Sequence, residues 1–202
     1  MIPQNHPDTR LSRFLQSLGF ARILRAAGIH KRGVGVSPAL VIQCLLGLTF
    51  TQRNFWRWLA TRKPQEIPFG KDVVYRFLTD PWWNWREVLS RVAYATHQRV
   101  RPLTRHEAVF ALDDSLYDRS RSHVVELMGL VFDHAAQRMR RGFRWLMCVW
   151  TDGQTVIPAD FALLTTPKVE NRQPAREDIT PGSPGAARCR QAIVSAPTVA
   201  WC

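Results

Sequence analysis

The sequence predicts an α+β protein in which a helical region precedes a β-rich region. Apolar residues recur at mostly helical spacing through residues 1–101, and short β-rich runs follow in residues 102–169. Residues 170–202 carry scattered prolines and show neither period, which predicts a disordered or out-of-frame tail. The 202 residues suffice for one domain or two small ones with a hydrophobic core.

Four helices are predicted in residues 1–101 from apolar spacing and from start and stop signals. Ser37-Pro38 is a strong start because it offers an N-cap followed by proline at the first helical position. Asn84, with Glu87 three residues later, predicts a capping box. The expected helices run from about Leu11 to Gly28, Ser37 to Thr61, Lys71 to Leu78, and Asn84 to Arg101.

The strands of residues 102–169 are predicted from short apolar runs. A first strand over Ala108–Leu112 is expected to end at Asp113 and Asp114. Two further runs, Gly142–Trp150 and Thr155–Leu164, are joined by a segment containing Asp-Gly, which favours a β-hairpin. The intervening residues 122–140 mix polar and apolar types and give no clear period.

The charge and the cysteines narrow the function classes. The formal net charge is +12 and the sequence pI is about 10.7, which favours a polyanionic partner such as nucleic acid. Solubility or an anionic membrane surface are the alternatives. No cysteine pair has C-x-x-C spacing, which fits a reducing cytosol, and the longest apolar run, Val41–Phe50, is too short to span a bilayer.

Asp113 and Asp114 are the candidate metal ligands. Carboxylates at the carboxyl end of a buried strand suit divalent ions, which prefer hard oxygen ligands. Nucleases use two such ions to hold the attacking and leaving oxygens of an in-line displacement. The alternative is an ordinary strand-end turn, in which Asp and Ser are common. Asp133-His134 and Asp152 are interpreted as structural residues rather than ligands.

The helical region offers the candidate DNA-binding residues. Its basic and aromatic residues alternate, and a short basic helix after a loop could enter a groove of DNA. The tryptophans are more simply core residues. The residues expected to contact DNA are Arg53, Arg57, Lys71, Tyr75 and Arg76.

A chain of short motifs resembles one family. The segments are Gly35–Pro38, Lys71–Leu78, Asn84–Arg86, Asp113–Ser122, Val125–Leu127, Val131–His134, Gly142–Leu146 and Trp150–Gly153. Together with Ile157-Pro158 and Phe161–Leu164, they resemble the DDE transposases of bacterial insertion sequences over about residues 11–168.

The resemblance implies an RNase H-like catalytic core and a DNA-cutting and DNA-joining activity. It implies that Asp113 is the first catalytic carboxylate and a ligand of Mg²⁺ or Mn²⁺, with Asp114 as the fallback. Arg119 and Arg121 could hold phosphates, or form a solvated basic turn. The implied partners are the double-stranded DNA ends of the element and a second copy of the chain, with no membrane, in the bacterial cytoplasm at the nucleoid.

The sequence departs from the family after residue 168. The family needs a second aspartate and a glutamate, whereas the later acidic residues are only Asp160, Glu170, Glu177 and Asp178. One carboxylate cluster cannot hold two ions in working geometry. We therefore expect a truncated or frameshifted chain without strand-transfer activity. The alternative is a non-catalytic DNA-binding protein or an inhibitor of transposition.

Overall fold

A computed structural model describes residues 8–31, 35–52, 54–61 and 69–194. These residues form seven α-helices and a four-stranded antiparallel sheet, which confirms the predicted α+β class. The chain divides into two compact units, residues 1–88 and 89–202. The division therefore falls inside the last predicted N-terminal helix rather than after residue 101. The reason is that Ala93, in the second half of that helix, packs with Trp150 and Ile157 of the sheet.

Each of the first two predicted helices of the first unit is divided in two by a residue with positive φ. Gly19 has a φ of 68° and ends the first one. Gln52, at φ 52°, ends the helix that begins at Pro38, and its backbone N–H donates to the Leu48 carbonyl. The predicted single helix from Ser37 to Thr61 is therefore two helices. The elements are α1 (Asp8–Ser17), α2 (Phe20–Ala26), α3 (Pro38–Thr51), α4 (Phe55–Thr61) and α5 (Lys71–Thr79).

An apolar cluster joins α3, α4 and α5. Val41 and Leu48 of α3, Trp58 of α4, and Phe69 and Val74 at α5 are buried together. Trp58 is therefore a core residue, as expected for the tryptophans, but Trp56 keeps 58% of its surface exposed. The same short helix thus anchors one tryptophan in the core and presents the other on the surface.

The second unit is built on strands that the sequence predicts only in part. Asn84 begins α6 as expected, because its Oδ1 accepts the Glu87 backbone N–H at 3.2 Å. Short 3₁₀ turns lie at Arg101–Leu103 and Val169–Asn171. The principal elements are α6 (Trp85–Val100), β1 (Val109–Asp118), β2 (Gly129–Asp133), β3 (Arg138–Thr151), β4 (Val156–Leu164) and α7 (Pro184–Ala192).

β3 is the centre of the sheet. Its residues 142–151 pair with β1, its residues 138–142 with β2, and its residues 144–151 with β4, all antiparallel. The predicted hairpin β3–β4 is confirmed, with a register irregularity at Cys148/Val149. Asp152 closes its turn by accepting backbone N–H groups from Gln154 and Thr155 at 3.0 and 2.6 Å, which confirms its structural role.

Helix α7 corrects the prediction that residues 170–202 are irregular throughout. The Ser183 hydroxyl accepts the Ala186 N–H at 3.1 Å, and Pro184 occupies the first helical turn. Ala192 and Cys189 pack against Leu127, Met128 and Phe143, so the helix belongs to the second unit's core. Residues 195–202 lie outside the described residues.

Gly142 is required where β1 and β3 approach each other. A Cβ atom at this position would overlap the Tyr117 carbonyl oxygen, which is backbone and cannot move aside. We expect Gly142→Ala to lower the free energy of unfolding by about 1–3 kcal/mol, as overpacking does elsewhere. Equilibrium urea unfolding measures this loss.

Gly70→Ala is the matched control, because a Cβ there meets no atom within 4 Å and Gly70 has an ordinary φ of −97°. Equal losses in the two variants would contradict the close approach between β1 and β3.

Candidate nucleic-acid interface and carboxylate strand

Aromatic contacts join the surfaces of α4 and α5 in the first unit. Lys71 Nζ lies 5.0 Å from the centroid of the Trp56 ring, a cation–π distance. One turn further along α5, Tyr75 meets Phe55 edge to face with centroids 6.5 Å apart. Trp56 and Tyr75 are both more than half exposed. The structure therefore brings two predicted DNA-binding residues, Lys71 and Tyr75, to one exposed surface beside α4.

The other predicted DNA-binding residues of the first unit have separate positions. Arg57 is exposed on α4, and its backbone N–H donates to Asn54 Oδ1 at 2.7 Å, which fixes the first turn of that helix. Arg76 is exposed on α5, and its Nε donates to the Asp72 carbonyl at 3.3 Å, so its guanidinium lies back along its own helix. Arg53 lies outside the described residues.

The carboxylates of the second unit lie inside a strand. Asp113 and Asp114 were expected to end the first strand, but β1 continues to Asp118 and pairs them with Met147 and Leu146. Successive side chains of a strand point to opposite faces of the sheet. Asp113 and Asp114 therefore point away from each other, and the choice between Asp113 and its fallback Asp114 as a metal ligand stays a prediction.

The two carboxylates have different partners. Asp113 is exposed, and its Oδ2 accepts a hydrogen bond from the Ser115 hydroxyl at 2.5 Å on the same face. Asp114 forms an ion pair with Arg144 of β3. Arg144 therefore neutralises Asp114 within the sheet, while Asp113 keeps its negative charge toward solvent.

The donors around Asp113 do not fit a two-ion centre. Its cross-strand partner is Met147, with Trp145 and Val149 as the diagonal neighbours on that face. Mg²⁺ requires an octahedron of oxygens and usually takes at least one or two carboxylates. Among the described residues, no group of three or more His, Cys, Asp or Glu side chains could hold a metal ion. Metal binding at Asp113 stays a prediction.

Arg119 and Arg121 follow β1. The Arg119 guanidinium lies 5.6 Å from the centroid of the Tyr117 ring, and Tyr117 meets Trp145 edge to face at 5.7 Å. Trp145 in turn is 6.0 Å from Phe161, so an aromatic row crosses β1, β3 and β4. Arg121 is exposed. The Arg119 guanidinium is thus within cation–π distance of Tyr117, and phosphate binding by Arg119 and Arg121 stays a prediction.

An ion-pair network that sequence analysis missed ties β1 to β2. Arg140 of β3 lies 2.6 Å from an Asp118 oxygen and 3.0 Å from an Asp133 oxygen. Asp133 also accepts the N–H groups of Ala135 and Ala136, both at 3.0 Å, which confirms the structural role expected for it. Only the pairing of three strands brings these residues together, so no local signal in the sequence indicates the network.

The chain matches no protein-family model, no curated protein and no solved structure in these comparisons. The transposase resemblance therefore rests on the sequence motifs alone and stays a prediction. None of the helices within the described residues is both long and apolar enough to cross a membrane.

The Asp118 carboxyl predicts how stability responds to acid. Hydrogen bonds from the Ser120 side chain and backbone N–H, together with Arg140, lower the pKa of Asp118 from 3.8 to about 2. A depressed pKa means that the stabilisation is complete above the unfolded pKa and is lost as the pH falls through the folded one. We therefore expect Asp118→Asn to be less stable than the parent at neutral pH, and the difference to shrink between about pH 4 and pH 2.

Thermal melts over this pH interval measure the effect. Glu107→Gln removes an exposed carboxylate just before β1 and serves as the control. If the difference in melting temperature between the parent and Asp118→Asn stays constant with pH, the lowered pKa of Asp118 is contradicted.

Proposed function

We propose that this protein is a transposase-like DNA-binding protein and that α4 and α5 of the helical unit contact the phosphate backbone of double-stranded DNA. The observation that carries the proposal is the Lys71–Trp56 contact at 5.0 Å with exposed Tyr75 one turn away. A lysine held over an aromatic ring loses less side-chain freedom when it meets a phosphate than a free lysine does. The net charge of +12 supplies long-range attraction to DNA.

The order of elements supports the transposase comparison. Helices come first, then β1, the short strand β2 and the β3–β4 hairpin, whose first strand pairs with both β1 and β2. The resemblance implies a first strand followed by a hairpin for an RNase H-like core, and we propose such a core for the second unit, with β2 as an additional strand. On this proposal the DNA is an element end, and the protein acts in the bacterial cytoplasm at the nucleoid.

DNA binding without cutting is the better supported form of this function. Asp113 and Asp114 point to opposite faces, and Arg144 neutralises Asp114. A second candidate, metal-dependent cleavage, draws support from Asp113 alone, which is exposed and accepts a hydrogen bond from Ser115. We therefore propose binding as the activity of this chain, competing with an intact transposase for the same ends.

Substitution of Lys71 tests the DNA contact. We expect Lys71→Gln to weaken binding to double-stranded DNA at all sequences alike, because a phosphate contact carries no base information. The slope of log K against log salt should fall by about 1 in magnitude, the value for one lost phosphate contact. Fluorescence anisotropy with a labelled duplex across a salt series measures both.

Arg190→Gln on α7 removes the same charge from the other unit and is the control. If both variants change affinity and slope equally, binding follows net charge alone, and the α4–α5 interface is wrong. Trp56→Leu tests the positioning: affinity should fall although no charge changes.

Asp113→Asn separates binding from cutting. We expect the parent chain with Mg²⁺ or Mn²⁺ to nick supercoiled plasmid no faster than Asp113→Asn does, and both to bind DNA equally. Agarose-gel nicking assays beside anisotropy measure this. Metal-dependent nicking that Asp113→Asn abolishes would establish the catalytic candidate in place of the binding one.

A further inference from the structure

The outer edge of β1 is open. The strand pairs with β3 along its whole length, and within the part of the chain that the structure describes no strand pairs with its other edge. An unpaired strand edge presents a row of backbone donors and acceptors that only another strand satisfies in full.

The hydrogen-bonding direction of each β1 residue follows from one contact. The Arg119 N–H donates to the Arg141 carbonyl at 2.9 Å and continues the β1–β3 ladder. Both backbone groups of a residue in an antiparallel strand point to the same side, and the side alternates along the strand. The odd-numbered residues of β1 therefore face β3, and the even-numbered ones, including Phe110, Leu112 and Asp114, direct their N–H and C=O groups to the open edge.

The first half of this edge is apolar and unprotected. Val109, Phe110 and Leu112 expose 59%, 71% and 55% of their surfaces. Sheet proteins normally guard an edge with lysine, proline or a bulge. β1 contains no lysine or proline, and its register with β3 runs without a shift. The only charged residues of β1 are aspartates. Arginines of β3 neutralise two of these aspartates, Asp114 and Asp118.

We propose that β1 pairs antiparallel with β1 of a second copy, around a two-fold axis at Leu112. Such an axis, perpendicular to the sheet, sets one residue opposite its own copy. An axis at Asp113 or at Asp114 gives the longest overlap. It also places that aspartate directly opposite the same aspartate of the second copy, and like charges in opposite positions are destabilising. An axis at Leu112 sets Leu112 against Leu112 and Asp113 against Ala111.

The apolar residues and the charges select this register over the next alternative. An axis at Ser115 gives an overlap of equal length but leaves Val109 and Phe110 outside it. An axis at Leu112 pairs Phe110 with Asp114, whose charge Arg144 already neutralises. A second copy of the same strand thus covers the exposed apolar residues and sets the unneutralised Asp113 side chains diagonally, about 7–8 Å apart, rather than directly opposite each other. This dimer does not depend on the proposed DNA contacts, which lie in the other unit.

Cysteine cross-linking of the full chain tests the register. Both cysteine variants are made in a Cys148→Ser background, because Cys148 of β3 lies directly opposite Leu112 and would capture a thiol at position 112 within the same chain. In that background Leu112→Cys would place two sulfurs on strands whose Cα atoms are about 5.5 Å apart, within the range of a disulfide. Ser115→Cys, three residues along the same strand, would place them roughly 20 Å apart. We expect a covalent dimer under mild oxidation for Leu112→Cys only, above the background of the Cys148→Ser chain. Cross-linking of Ser115→Cys instead, or of neither, overturns the register.

Proline substitution tests the edge itself. Leu112→Pro removes an N–H that points to the open edge, whereas Ala111→Pro removes one that pairs with β3. We expect sedimentation to show a dimer for the parent chain and a monomer with a retained cooperative melt for Leu112→Pro, while Ala111→Pro loses the melt.

Leu112→Lys serves if the proline variant does not fold, because like charges opposite each other disfavour the dimer. A parent chain that is monomeric at every concentration, or a Leu112→Lys variant that stays dimeric, overturns the proposal.

Discussion

The second unit depends on the pairing of β3 along both of its edges. At Gly142 the strand has Asp118 on one edge and Gly129 on the other, so three strands meet at one backbone position. A Cβ atom at position 142 would clash with the Tyr117 carbonyl, and a Cβ atom at position 129 would clash with the side chains of Thr165 and Thr166. Glycine at position 142 lets β1 lie close to β3, where Arg140 reaches Asp118 and Asp133, and glycine at position 129 lets β2 lie close to the segment after β4. The ion-pair network is thus a consequence of the backbone geometry.

The same pairing decides what the carboxylates of β1 can do. Asp is disfavoured in strands, and so the local sequence predicts that the strand ends at Asp113. The long partner strand overrides this preference, because every residue of β1 has an antiparallel partner in β3 and Arg144 neutralises Asp114. Sequence patterns could therefore predict that a strand and a carboxylate pair exist. They could not predict that the strand continues, which separates the two carboxylates onto opposite faces.

Elements with local signals were predictable, and those with distant causes were not. Asn84 starts α6 as expected because its cap depends on residues within one turn. The break at Gln52 gives no such signal, since glutamine rarely adopts a positive φ. Helix α7 does have a local start signal, because Ser183-Pro184 repeats the pattern of Ser37-Pro38. The surrounding prolines nevertheless favoured the prediction of an irregular segment. On the candidate interface, the sequence could predict that Lys71 and Tyr75 lie one turn apart on the same helix. It could not predict the cation–π contact between Lys71 and Trp56, which depends on the tertiary fold.

The total of 28 lysines and arginines overstates the number of cations that are available to a polyanion. Arg140 and Arg144 neutralise carboxylates of the sheet, and Arg176 pairs with Asp178. Such arginines stabilise the fold locally and lose most of their attraction for a phosphate, since each acts beside an opposite charge. Lys71 is held instead against a neutral ring, which positions the ammonium without cancelling its charge. The electrostatic case for DNA binding therefore depends on the few cations held by aromatic contacts, rather than on the total number of arginines.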